Sequence, residues 1–68
     1  MMKWVSKSDG DTDKRFIIEE EDGVGFYLYV FTGGNCTRDY LQDSLDLAIG
    51  QAERDFGVLR ETWQLVDS

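Results

Sequence analysis

Residues 15–35, RFIIEEEDGVGFYLYVFTGGN, hold two alternating runs joined by a glycine-containing turn. Successive strand side chains point to opposite faces. Phe16, Ile18 and Glu20 therefore share one side of the first run, and Arg15, Ile17 and Glu19 the other. In the second run Phe26, Leu28 and Val30 oppose Tyr27, Tyr29 and Phe31. Asp22-Gly23-Val24-Gly25 lies between them, with two glycines for positive φ. A two-residue loop would pair Ile18 with Tyr27 and set Glu19 beside Phe26. One further loop residue pairs Ile18 with Leu28, Phe16 with Val30, Ile17 with Tyr29 and Arg15 with Phe31. A one-residue slip exchanges the faces of a whole strand. The longer loop, with a bulge at a glycine, is preferred because it separates an aliphatic face from an aromatic one.

Gly33-Gly34-Asn35 forms a second turn, and residues 36–41 alternate again as a third antiparallel strand. Cys36, Arg38 and Tyr40 are expected on one face of it, with Thr37, Asp39 and Leu41 on the other. Residues 43–58, DSLDLAIGQAERDFGV, read as one capped helix. Asp43 or Ser44 can cap its start. Leu45, Ala48, Ile49, Ala52 and Phe56 then form a core-facing stripe about 100° wide. Asp46 suits the N-terminal end of the dipole. Gly57 suits a left-handed cap, with Val58 folding back onto Ala52. Gly50 costs the helix about 1 kcal/mol relative to alanine, and either close packing or neutral drift would account for it.

The two ends are less regular. Residues 1–6 contain Trp4 and Val5 and suit a short edge strand or an arm. Residues 7–13 have loop composition. Trp63 and Leu65 lie at strand spacing, as a fourth strand or a tail over the helix–sheet seam. The expected fold is α+β: a three- or four-stranded antiparallel meander with one amphipathic helix packed on one face. All 68 residues make one small domain, in which residues 1–13 are the arm or edge strand plus an acidic loop.

Several elements also form a familiar pattern. They are "YLY", a Gly/Asn turn before Cys36, "DYLQDSL", an alanine-spaced acidic helix ending "FGV", and the late Trp63. The pattern resembles a group of short bacterial proteins with a strand–strand–strand–helix layout. The resemblance covers about half the chain, leaves residues 1–13 outside, and implies fold and bacterial origin but no activity.

Composition narrows the chemistry. A chain this short buries only about 60% of its unfolded surface, and oligomerisation is one way to offset that. The formal charge of −7 disfavours nucleic acid and anionic membranes as ligands and permits a basic protein partner. Cys36 is the only cysteine, which excludes a disulfide within the chain and fits a reducing cytosol. With no signal-like segment and no long apolar run, a soluble cytoplasmic protein is expected. There is no histidine, so Ser–His and Cys–His pairs and most zinc sites are excluded. Cys36 has no evident activating base, although Arg38 is two residues away. "GVGFYL" and "TGGNCT" lack the following helix that a phosphate cradle needs.

Asp9, Asp11 and Asp13 alternate like the first half of a calcium loop, with Glu20 at its closing position. Lys14 stands where such a loop wants glycine, and Glu20 falls in a strand. Glu19, Glu20, Glu21 and Asp22 crowd the hairpin tip, where water screens them.

One helix cannot cover both faces of the sheet. Ile17, Tyr27, Tyr29 and Phe31 are left facing water, another chain, or a lid made by Trp4 and Val5 or by Trp63 and Leu65. Tyrosine-rich surfaces recur at interfaces because the ring joins apolar area to a hydroxyl. The expected function is non-enzymatic protein interaction or regulation through Ile17, Tyr27, Tyr29 and Phe31, with Glu19 and Glu21 at the rim. The partner is another protein or, as a homodimer, the chain itself. No cofactor and no small-molecule substrate are expected. The alternatives are an acidic inhibitor or immunity-type protein that blocks a basic site, and a weak calcium-responsive domain.

Overall fold

The alternation builds strands that pair with their sequence neighbours, and the computed structural model describes residues 2–7 and 13–67. The strands are β1 (Met2–Lys7), β2 (Lys14–Glu21), β3 (Gly25–Thr32), β4 (Asn35–Gln42) and β5 (Gln64–Asp67). Helix α1 spans Leu45–Phe56, and a 3-10 turn covers Arg60–Thr62. The sheet order is β4-β3-β2-β1-β5, with every neighbouring pair antiparallel. A four-stranded meander therefore leads into a helix that packs on one face, and the chain returns as β5 at the far edge. The domain is α+β. The sheet has five strands because both end segments join it. Residues 2–7 lie inside the sheet between β2 and β5, and the C-terminal segment supplies the edge strand.

The central hairpin takes the longer-loop register. Ile18 pairs with Leu28, Phe16 with Val30, Ile17 with Tyr29 and Arg15 with Phe31. The Val24 N–H donates to the Glu21 carbonyl at 2.9 Å, and Gly23 supplies the positive φ of 78° that the turn needs. Gly33 and Gly34 both have positive φ, as the two-residue loop between Thr32 and Asn35 requires.

Burial follows the aliphatic face. Phe16, Ile18, Leu28, Val30, Ala48, Ala52 and Val58 form the core. Helix α1 packs on β2, β3 and β4. Phe56 reaches Phe16 at 5.5 Å and Tyr40 at 6.3 Å between ring centroids. Trp4 and Trp63 pack against the same core, with Trp4 lying 6.0 Å from Phe26. Ser44 is the helix cap, and its Oγ accepts from the Leu47 N–H at 3.2 Å. Gly57 closes the helix with φ 72°, and the Val58 N–H donates to the Ala52 carbonyl at 3.2 Å. Gln51 is buried beside the expected stripe, where its side-chain oxygen accepts from Gln42 Nε2 at 2.7 Å. No helix among the described residues is long and apolar enough to cross a membrane.

Candidate interaction surface

The face opposite the helix is a set of cross-strand rows. Residues paired in an antiparallel sheet share a face. One row runs Val66, Lys3, Glu19, Tyr27, Leu41. The next runs Gln64, Val5, Ile17, Tyr29, Asp39. The third brings Arg15, Phe31 and Cys36 together. Ile17, Tyr27, Tyr29 and Phe31 thus lie side by side, each half-buried by its neighbours. Tyr27 and Tyr29 are stacked, with centroids 5.8 Å apart and planes 17° apart. Glu19 lies in the first row, and Glu21 follows it at the exposed hairpin end.

Among the described residues the end segments do not fold over these rings. Trp4 and Trp63 turn to the core side, while Val5 and Val66 enter the rows and widen the open face. Val66 and Leu41 remain 40% and 49% exposed. Sequence reasoning assigned no interface role to Val66, Leu41 or Arg15. Val66 reaches the face only through β1–β5 pairing, which has no local signature, whereas Arg15 and Leu41 lie on the faces that alternation gave them.

One expectation is corrected here. Cys36 does not share a face with Arg38 and Tyr40. Val30 pairs with Arg38 and Phe31 with Cys36, which leaves Thr37 as the extra residue of a bulge. A bulge reverses the alternation beyond it. Cys36 therefore lies beside Phe31 on the open face, and its thiol donates to the Arg38 carbonyl at 3.5 Å. The Thr37 hydroxyl donates to the Val30 carbonyl at 3.3 Å, which holds the bulge.

Electrostatics on this face centre on Tyr29. Burial among its neighbours raises its pKa above the ordinary 10.0, and nearby Glu19, Tyr27, Asp39 and Cys36 raise it further. Its hydroxyl therefore stays protonated at neutral pH, able to donate as well as accept. At the Gly33–Gly34 end a groove of about 440 Å³ runs between Asp13, Arg15, Ile17 and Phe31.

The other candidate residues separate. Glu20 lies on the core side of the hairpin tip, in an open hollow with Glu21, Asp22 and Asp43. Asp9 and Asp11 lie outside the described residues. Asp13 precedes β2, and its carbonyl accepts from the Gly33 N–H at 2.9 Å. Among the described residues no three His, Cys, Asp or Glu side chains group as metal ligands would. Gly50 faces the Arg60 guanidinium, which spans Asp46 at 2.9 Å and Glu53 at 3.4 Å. A Cβ at Gly50 would stop 3.4 Å from the end of the Arg60 side chain, so this packing does not demand glycine.

No protein-family model, no curated protein and no solved structure matches this chain. The likeness to short bacterial proteins rests on the sequence pattern alone.

Proposed function

We propose that this chain is a small protein-interaction module that works through the helix-free face of its sheet. One observation carries this: the described parts of both end segments extend the sheet sideways, so no described residue covers the contiguous Ile17, Tyr27, Tyr29 and Phe31. Val5 and Leu41 enlarge the apolar patch, Arg15 and Asp39 border it, and Lys3 and Glu19 separate it from Val66. Aromatic centres with charged rims are what protein interfaces use. The role is binding and not catalysis, in keeping with a chain that has no histidine. Its lone cysteine suits a reducing cytosol.

The test is to immobilise the wild-type chain and the Tyr29→Glu variant, each shown to be folded by circular dichroism. Both are then challenged with an extract of the source cell at low and high salt. A partner held by the wild type and lost by Tyr29→Glu is expected. Equal capture by both that disappears with salt would move the site to the acidic surface and support a blocker of basic sites. No retention by either sinks the proposal for heterologous partners.

A further inference from the structure

We infer that the occupant of this face is a second copy of the chain, stacked sheet to sheet about a two-fold axis running across the strands through the Ile17–Tyr29 row. This rests on the interaction role proposed above and names its partner.

The pattern on the face is self-complementary about that row. On β2, Arg15 and Glu19 stand two residues either side of Ile17. On β3, Phe31 and Tyr27 stand two residues either side of Tyr29. A two-fold contact brings residue i to j and j to i. Rotation about this axis places Arg15 against Glu19 of the partner subunit twice. It places Phe31 against Tyr27 of the partner subunit, and Ile17 and Tyr29 against their own counterparts. On β4 it lays Leu41 of the partner subunit over Cys36. Among the described residues neither Arg15 nor Glu19 makes a side-chain ion pair within its own chain, whereas Arg54 and Arg60 both do. Away from the centre the match is poorer: Asp39, exposed on edge strand β4, lies on the axis row and meets its own counterpart, and Lys3 falls opposite Lys7 of the partner subunit, with water at the flanks screening both pairs.

Charge and area agree with self-association. The chain carries −7, yet the charged strand positions on this face, Lys3, Lys7 and Arg15 against Glu19, Glu21 and Asp39, cancel. The acid excess lies elsewhere, with Asp46, Glu53, Asp55 and Glu61 on the helix side and Asp22 at the tip. Five strands about 4.8 Å apart and roughly six residues long at ~3.3 Å each make a face of roughly 24 × 20 Å. Two such faces cover on the order of 1,000 Å², the lower end for a specific interface. The dimer should therefore dissociate on dilution. The sheet edges are poorer seats: β5 has four residues, and the Thr37 bulge breaks the regular edge of β4.

Sedimentation equilibrium of the pure chain from micromolar to millimolar concentration tests this. The mass should rise from 7.8 kDa towards twice that value, and the Cys36 thiol should react more slowly with a thiol reagent as the dimer fills. Arg15→Glu alone and Glu19→Arg alone should each weaken association at least tenfold. The double variant Arg15→Glu/Glu19→Arg should recover most of it, because both pairs reform with exchanged signs. Tyr29→Glu should be a folded monomer. A wild-type chain of 7.8 kDa at every concentration overturns the second copy. So does a dimer indifferent to all of these variants, which would use another surface. If the monomeric wild type still captures a partner that Tyr29→Glu loses, the interaction role stands with a different occupant. If it captures none, both fall.

Discussion

Two glycines show how one residue type serves opposite ends. Gly25 has φ 146°, and a Cβ there would run into the Gln42 carbonyl oxygen across the β3–β4 ladder. Gly25→Ala should destabilise the fold by about 1–3 kcal/mol, the range for a strained backbone position. Gly50 lies inside α1, where a Cβ would meet only the end of the Arg60 side chain at 3.4 Å. Gly50→Ala should stabilise by up to about 1 kcal/mol through helix propensity. Urea unfolding of both variants reads the contrast, and a loss of stability in Gly50→Ala would show that Arg60 cannot yield. Tyr29 supplies a pH prediction. Its folded pKa lies above the unfolded 10.0, raised first by burial and then by Glu19. The associated stability is complete below pH 10.0 and is lost as pH rises through the folded pKa of Tyr29. Tyrosinate absorbance should show a transition above pH 10.0 that is missing in Tyr29→Phe. Glu19→Gln should move that transition down without abolishing the shift, since burial remains.

At the scale of elements, the hairpin and helix were legible because their determinants are local. Apolar alternation from Phe16 to Phe31 chose the strands, and the separation of faces chose the register. Ser44 and Gly57 bounded the helix by cap chemistry. The bulge at Thr37 was not legible, because nothing in Cys36-Thr37-Arg38 distinguishes it from regular alternation. Nor was the 3-10 turn, which is held from a distance. Ser6 is buried, and its Oγ lies 2.6 Å from Thr62 Oγ1. The Thr62 hydroxyl donates to the Leu59 carbonyl at 2.6 Å, so the Ser6 hydroxyl is the donor between the two side chains. Ser6→Ala should cost about 0.5–1.5 kcal/mol, the net worth of one such bond. Thr62→Val should cost more, about 1–3 kcal/mol, because it strands a buried hydroxyl. The double variant should cost less than the sum, and thermal unfolding of the three variants measures that coupling.

For the whole molecule, the uneven covering of the sheet is the central fact. One twelve-residue helix and two tryptophans seal one side, and the other side keeps its aromatic rows. If a second copy seats there, folding and association are linked by mass action. The melting temperature should then rise with protein concentration in the wild type and stay level in Tyr29→Glu, as differential scanning calorimetry would report. Local chemistry in the chain was enough for the antiparallel hairpin, its register, the helix and its caps, and the division into an aliphatic and an aromatic face. Each rests on contacts between residues close in sequence, where periodicity and turn geometry leave one good solution. The fate of the aromatic face was decided only in three dimensions. Trp4 and Trp63 could have capped it or joined the core, and pairing of β1 with β5, across most of the chain, turned both rings inward. That pairing depends on two distant segments finding each other on a sheet already built, and neither segment carries its partner's address in its own residues.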